Sequence, residues 1–285
     1  MAFRNLTAVL LGVILIQGAA SGCASSRSAK PMAQDHPGLR SFSEIEKEEG
    51  LRIHQQIVSQ FYLYTDPQVT DYVDRVGFSL AEDESQAREN YDFTVLYDEK
   101  IYAAAAPGGH VYITTGFLNF IENEAELAAV LAHEVAILQF KDPRSSSKRK
   151  TLDGVTQAVS VVAPALGQIG SLAALGAILV NSAAQSGELT REERIENADL
   201  LGARYMLHAG YDPQGMVDLL YKFLKADRSK LPYFYDYYQT YPITERRFEK
   251  MNEDFARLPL ASRELVMRRK EFLETVRGIR EMHGV

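Results

Sequence analysis

The sequence predicts a mainly helical α+β fold, and three features of its 285 residues support this class. Apolar side chains recur at helical intervals over most of the chain. The alternation of apolar and polar residues that is typical of strands is confined to residues 92–98 and 110–115. Hydrophobic residues make up 46% of the chain and charged residues 24%, a composition that can provide one sizeable core. We therefore expect a small sheet packed against several helices.

Each of the first elements has a local signal. Residues 43–62 carry apolar side chains at roughly helical intervals, and Asp66-Pro67 opens a second helix that runs to Leu80. Pro107-Gly108-Gly109 predicts the turn between the two strands. Asn123 should cap a further helix, because the first turn after it is acidic, as the helix dipole favours.

The second half of the chain is expected to be helical. Residues 190–208 and 214–225 predict helices, and a long charged helix is expected from Ser262 to Met282. No charged residue occurs in 154–187, which suits two short buried apolar helices, an interfacial hairpin or a membrane span. The expected organisation is a main domain at 42–257 and a C-terminal helix at 258–285.

The N-terminus has the composition of a targeting segment. Residues 1–22 contain a basic start, a short apolar stretch and small residues before Cys23, the single cysteine of the chain. This order resembles a bacterial lipoprotein signal peptide, which implies lipidation at Cys23; an ordinary secretory signal is the alternative. Residues 23–41 lack apolar periodicity and predict a flexible tether.

Location and charge limit the possible partners. Ala24 follows Cys23 where inner-membrane lipoproteins carry aspartate, so the same resemblance favours the outer membrane. We expect a periplasm-facing lipoprotein of the bacterial cell envelope, held at the membrane through Cys23. The formal net charge of −7 gives little support to a nucleic-acid partner.

The predicted helix after Asn123 contains most of a zinc-protease motif. In the intact motif, H-E-x-x-H, two histidines bind one zinc ion from the same helix face, and the glutamate is the general base for the metal-bound water. This chain has His133 and Glu134, but Ile137 stands at the second ligand position. Isoleucine offers no lone pair to a metal ion.

Four collinear blocks extend this similarity. They are Val-Asp-Arg-Val-Gly at 73–77, Ala-Pro-Gly-Gly-His-Val-Tyr-Ile-Thr-Thr-Gly-Phe-Leu at 106–118, the helix at 124–134, and Asn-Ala-Asp-Leu-Leu-Gly-Ala-Arg-Tyr-Met at 197–206 with Ala-Gly-Tyr-Asp-Pro at 209–213. Together they resemble the HtpX and CAAX prenyl protease family of zinc metalloendopeptidases, metallopeptidase family forty-eight, and its periplasmic lipoprotein, BepA-like branch without helical repeats. The resemblance covers about 45–255 and implies a zincin-like domain with a small sheet beside the H-E-x-x-(H) helix.

The resemblance also identifies further site positions. In that family the third zinc ligand is the first glutamate of an E-x-x-x-D motif, and the aspartate orients the site. Asp199 matches the orienting residue, whereas the ligand position is Ile195. A His-Pro pair common near the mouth of the site is replaced by Tyr241-Pro242. His133, Glu134 and Asp199 are therefore interpreted as vestigial.

Loss of two ligands has structural consequences that the sequence already suggests. We expect Ile137 and Ile195 to meet in a dry apolar contact, and burial contributes on the order of 1.5–3 kcal/mol for each side chain. Glu134 beside them should have a raised pKa or a new partner, because an unpaired buried carboxylate is costly. A rearranged metal site would need other groups, of which the candidates are His110, His208, Glu193, Glu196 and Asp199.

Three functions remain open at this stage. The first is an inactive, pseudoprotease member that binds unfolded or envelope proteins for quality control, with no cofactor expected. The resemblance implies that an extended peptide would pair with an edge strand at Val111, Tyr112, Ile113 and Thr114. The second is an active metalloendopeptidase with zinc in a rearranged site. The third is a structural lipoprotein whose cleft is filled.

Overall fold

The structure is a computed structural model that describes residues 37–81, 84–140, 190–226, 241–258 and 264–284. Within these ranges the helices are α1 (Glu44–Gln60), α2 (Pro67–Ser79), α3 (Glu84–Asn90), α4 (Thr115–Phe120), α5 (Glu124–Gln139), α6 (Arg191–His208), α7 (Gln214–Lys225), α8 (Glu245–Phe255), α9 (Arg269–Thr275) and α10 (Arg277–Met282). The strands are β1 (Tyr62–Leu63), β2 (Asp92–Tyr97), β3 (Ala103–Ala106) and β4 (His110–Thr114). The signal peptide, Cys23 and the uncharged segment 154–187 lie outside the described residues.

The sheet has four strands in the order β1, β2, β4, β3. Strands β2 and β4 are parallel, and the other two pairs are antiparallel. The mainly helical α+β class with a small mixed sheet is thus confirmed. Residues 103–106 form a strand where only a connection was predicted, and Pro107–Gly109 is a single 3₁₀ turn between β3 and β4.

Helix α5 lies at the centre of the fold. Its N-cap is Asn123, whose side chain accepts a hydrogen bond from the Glu126 backbone, and every residue but Gln139 is buried. A helix that is apolar on all sides must be surrounded, and α5 packs against α2, α6, α7 and strand β3. Of the helices in the described ranges, none is long and apolar enough to cross a membrane.

The C-terminal segment differs from the single long helix predicted for it. It contains two short helices, α9 and α10, preceded by an extended stretch around Val266 that bridges to Tyr211. The Met267 carbonyl accepts hydrogen bonds from the backbone amides of Glu124 and Ala125. These two amides belong to the first turn of α5 and have no partner inside the helix. The extended stretch therefore caps the central helix, which prevents it from being helical itself.

Glu124, the first residue of α5, gathers four other side chains. Its carboxylate is fully buried and accepts hydrogen bonds from Tyr72, from Arg75 at 3.0 Å, from Tyr211 at 2.7 Å and from Arg268 at 2.6 Å. Burial alone would raise the pKa of this carboxyl, but the bonds to these partners lower it below its usual value. Glu124 thus connects α5 with α2 and with the two stretches that bridge at Tyr211 and Val266.

Replacing this buried carboxylate should destabilise the fold. We expect Glu124→Ala to lower the free energy of unfolding by about 3 kcal/mol, since it leaves buried hydroxyls and two guanidinium groups without their acceptor. The control is Glu122→Ala, because Glu122 is 43% exposed and pairs with Arg269 at the surface; its cost should stay below about 1 kcal/mol. Urea unfolding measures both, and equal effects would contradict the role of Glu124.

Candidate metal and catalytic site

Helices α5 and α6 bring His133 and Asp199, two residues of the predicted site, together. Gly202 on α6 faces the backbone of Ala132 and His133 so closely that a Cβ would lie 3.1 Å from the Ala132 carbonyl carbon. This close approach places Asp199, one turn earlier on α6, beside His133 on α5. Nδ1 of His133 donates a hydrogen bond to Oδ1 of Asp199 over 2.8 Å, and both side chains are buried.

That hydrogen bond decides which nitrogen of His133 is available. Because Asp199 accepts from Nδ1, the neutral imidazole carries its proton there and presents a bare lone pair at Nε2. Burial lowers the pKa of His133, partly offset by Asp199, so the ring is neutral. Among the described residues, Nε2 has no hydrogen-bond partner. Its lone pair is the kind of donor that would bind a metal ion.

Arg247 is a site residue to which the sequence assigned no role. Its Nε and Nη2 donate to the two oxygens of Asp199 at 2.7 and 2.8 Å. Although burial raises the pKa of Asp199, the charge and hydrogen bonds of Arg247 hold it at about 2. A sequence signal existed: on α8, Arg247 shares the buried face with Met251 and Phe255, four and eight residues on. A charge on such a face needs a buried partner.

Tyr241 covers the other half of the motif. Its hydroxyl donates a hydrogen bond of 2.8 Å to Oε2 of Glu134, and its ring meets the His133 ring edge to face at 4.9 Å between centroids. Burial raises the pKa of Glu134 to about 8, despite the Tyr241 hydroxyl, the charge of Arg247 and the backbone of Ala105. Both the raised pKa and the new partner expected for Glu134 are therefore present.

The two substituted ligand positions are apolar and buried. Ile137 on α5 is 1% exposed and Ile195 on α6 is 2% exposed, and both belong to the main core. The helices are close at this level, because Nη2 of Arg194 lies 3.5 Å from the Ile137 carbonyl oxygen. The two positions that the resemblance assigns to further zinc ligands are thus occupied by buried hydrocarbon side chains.

The family model for peptidase family M48 matches residues 67–254. The chain belongs to peptidase family M48. It is 26% identical over 252 residues to the beta-barrel assembly-enhancing protease of Escherichia coli (strain K12), a match that covers 86% of this chain and 50% of that protein. The protein of the same name from Yersinia pestis is 26% identical over 260 residues, which cover 85% and 51% of the two chains. The chain spans about half the length of these relatives, and the matches confirm the predicted BepA-like branch.

M48 peptidases depend on zinc, and the donor set around His133 does not fit that ion. A catalytic zinc needs about three protein ligands, whereas this site offers the lone pair of His133 and two isoleucines. Of the residues proposed as substitutes, Asp199 alone contacts His133. It binds Nδ1, whereas a metal ion would bind Nε2. Glu193 caps α6, and Glu196 pairs with Arg246. In the described ranges, no metal-competent group of three acidic, His or Cys side chains includes His133.

The structure corrects the position of the predicted substrate strand. Val111, Tyr112, Ile113 and Thr114 form β4, which is hydrogen-bonded on both sides, to β2 and to β3, and cannot accept a further strand. Among the strands of the described residues, the edge on this side is β3, Ala103–Ala106, next to Glu134 through Ala105. The error arose because a run of alanines lacks the alternation that marks a strand.

The Glu134 carboxyl should make stability depend on pH. Its pKa is about 8 in the fold and near 4.5 in the unfolded chain, so the folded state holds one more proton between these values. The free energy of unfolding should therefore fall as pH rises from 5 to 9, and Glu134→Gln should remove this part of the slope. Chemical unfolding across that range measures it, with the exposed Glu253→Gln as control. An unchanged slope in Glu134→Gln would contradict the buried, protonated carboxyl.

Proposed function

We propose that this chain is a non-hydrolytic M48 protein of the bacterial envelope that binds extended segments of unfolded or envelope proteins. The fold is that of a metallopeptidase, but the chemistry at its centre is missing. The observation that supports the proposal is the burial in the core of Ile137 and Ile195, the residues that the resemblance places at two zinc ligand positions. Without three ligands, the water that Glu134 would activate has no metal to lower its pKa.

The state of Glu134 supports the same conclusion. A general base must be ionised near neutral pH and within reach of a water molecule. A pKa of about 8 leaves most of this carboxyl protonated at pH 7, and Tyr241 occupies one of its oxygens. The pocket that the described residues form beside His133 and Asp199 has a free volume of about 20 Å³, enough for roughly one water molecule.

The location rests on similarity and on the N-terminal pattern. The relatives in Escherichia coli and Yersinia pestis are named for enhancing the assembly of β-barrels, and barrel proteins are assembled in the outer membrane. Cys23 after a short apolar segment supports lipidation. We propose a periplasm-facing lipoprotein, with the outer membrane favoured by Ala24, that acts in envelope quality control.

Strand β3 is the proposed binding edge. Its backbone is the outer row of the sheet, it lies beside Glu134, and an added strand gains main-chain hydrogen bonds without needing catalysis. Ala103 to Ala106 are at most 1% exposed. Binding therefore requires this edge to open.

The burial of β3 favours a second candidate, a closed cleft. A covered edge, Tyr241 on the His133 ring and a pocket the size of one water also describe a structural lipoprotein whose partner surface lies elsewhere. The two candidates differ in one respect only. A peptide reaches β3 in the first and does not in the second.

Restoring the lost ligands should restore zinc binding. In Ile137→His with Ile195→Glu, we expect one additional zinc ion per folded chain, because the donor set regains the three groups that a catalytic zinc requires. Adding His133→Ala to this double variant should remove that ion, which separates it from zinc bound anywhere else. Metal analysis after a circular dichroism check of folding measures the result. A folded double variant without His133-dependent zinc would refute the assignment of positions 137 and 195.

Binding at β3 can be tested with an extended peptide that carries a photo-crosslinker. We expect crosslinks to residues 103–106 from a peptide of alternating apolar and polar residues, since it can add to the edge as a strand. The matched control is the same peptide with proline at alternate positions, which cannot donate to the ladder. Mass spectrometry of the crosslinked chain locates the contacts.

Two results would contradict the binding proposal. Equal crosslinking by both peptides would exclude strand addition, and crosslinks that never reach 103–106 would support the closed cleft. A third would contradict the loss of hydrolysis: cleavage of an unfolded protein by the unaltered chain that disappears in Glu134→Gln.

A further inference from the structure

A second group of metal-ligating side chains lies on the sheet, outside the protease motif. His54, Asp92 and His110 present ligand atoms that all lie within 4.8 Å of one another. These residues come from α1, from the start of β2 and from the start of β4. None of them belongs to the residues that contact His133 or Glu134, and the function proposed above makes no use of them.

The parallel pairing of β2 and β4 sets the first two groups side by side. Asp92 and His110 are register partners at the beginning of this ladder, so their side chains leave the same face of the sheet. Nδ1 of His110 lies 3.4 Å from Oδ2 of Asp92. Gly108 and Gly109, both with positive φ, bring the chain from β3 into this position.

Helix α1 supplies the third group. Gly50 lets α1 approach the turn before His110, because a Cβ there would lie 1.8 Å from the Pro107 carbonyl oxygen. The His54 ring then stacks on the His110 ring at 4.8 Å between centroids, and its Nδ1 lies 3.9 Å from Oδ2 of Asp92. That nitrogen is also 3.0 Å from the Tyr112 hydroxyl.

The spacing of the group is close to that of a zinc site. Tetrahedral ligands about 2.1 Å from zinc lie roughly 3.4 Å apart, which matches the His110 to Asp92 distance, whereas His54 at 3.9 Å must turn away from the His110 ring and the Tyr112 hydroxyl to join them. Nδ1 of His110 now pairs with Asp92, so a bound ion would take the place of the proton between these two atoms.

The surroundings are accessible and carry extra negative charge. The side chains of His54, His110 and Asp92 are 24%, 18% and 54% exposed, so an ion can enter from solvent. Asp74 is a second carboxylate close enough to Asp92 for the two to repel each other. A cation at this place would relieve the repulsion between the two carboxylates.

We propose that His54, Asp92 and His110 form a binding site for a divalent transition-metal ion, with zinc as the ion to be tested. Two imidazoles and one carboxylate select zinc, copper or nickel over magnesium and calcium, which prefer oxygen ligands. A bound ion crosslinks α1 to β2 and β4. This metal site is separate from the vestigial ligand His133 and does not depend on the proposed peptide binding.

The test uses the untagged, metal-stripped full chain and zinc chloride alone. Calorimetry should show one zinc ion per chain, and the thermal midpoint should rise with zinc but not with magnesium, because a ligand of the folded state stabilises it. Asp92→Asn and His110→Gln should each weaken zinc binding at least about tenfold. The matched control, His283→Gln in the C-terminal segment, should retain the binding of the unaltered chain, and His133→Gln tests separately whether the ion lies at the protease motif.

Three outcomes would overturn the site. These are no zinc binding by the unaltered chain, binding that persists unchanged in both Asp92→Asn and His110→Gln, and binding that is lost only in His133→Gln. The last outcome would also contradict the non-hydrolytic function, because it would place the zinc ion at His133. The thermal midpoint of each variant is also measured without metal. If it equals that of the metal-free unaltered chain, the variant is folded and its loss of zinc binding is specific.

Discussion

The carboxylate of Asp199 connects the three helices that surround the site. It accepts one hydrogen bond from His133 on α5 and two from Arg247 on α8, while its own backbone belongs to α6. A buried carboxylate without such partners would cost several kcal/mol in folding free energy. Removing any of the three side chains would leave a buried charge or donor unpaired. The orientation of His133 and the position of the residues before Arg247, including Tyr241, follow from this network.

Asp199 orients the His133 ring through a hydrogen bond to Nδ1, a role that does not require a metal ion. In a working zinc site, a carboxylate holds the imidazole in the tautomer that presents Nε2 to the ion. This chain has that arrangement around His133, and Ile137 and Ile195, at the ligand positions that the resemblance implies, are buried. Under the proposed function, the hydrogen-bond network of Asp199 stabilises the fold and does not prepare a reaction.

The buried surroundings of Glu134 give its carboxyl a higher pKa than a carboxylate has in water. Beside a metal, a carboxylate of this kind is ionised and activates water. In an apolar core its pKa is raised to about 8, and the Tyr241 hydroxyl donates to Oε2, while Oε1 has no hydrogen-bond partner among the described residues. A sequence motif that retains His and Glu can thus belong to a neutral, buried pair whose effect is structural. The proposed loss of hydrolysis depends on Ile137 and Ile195 more than on the two motif residues that the chain retains.

The sequence predicted those features that depend on local signals. Helix α5 was foreseen because Asn123, the acidic first turn and the apolar run all lie within one stretch, and the His133 to Asp199 relation came from a recognisable motif. Strand β3 was missed because alanines pair with β4 by tertiary context. The long C-terminal helix was wrong because residues near Met267 cap α5 instead.

Two further features depend on distant segments that no local pattern joins. Arg247 finds Asp199 across 48 residues of sequence, and the group on the sheet draws its side chains from α1, β2 and β4. The histidines at 54 and 110 gave no spacing signal, because metal-ligand spacing is informative only within one element or one tight turn.

Nitrogen NMR of the histidine rings during addition of zinc tests the central claim most directly. The chemical shifts of Nδ1 and Nε2 distinguish a protonated, a bare and a metal-bound nitrogen. The structure predicts that His133 stays neutral, with its proton on Nδ1 and a bare Nε2, when one equivalent of zinc is added, while the signals of His54 and His110 shift. If Nε2 of His133 binds zinc while the signals of His54 and His110 stay unchanged, the account is contradicted, and the chain should be regarded as an active zinc peptidase.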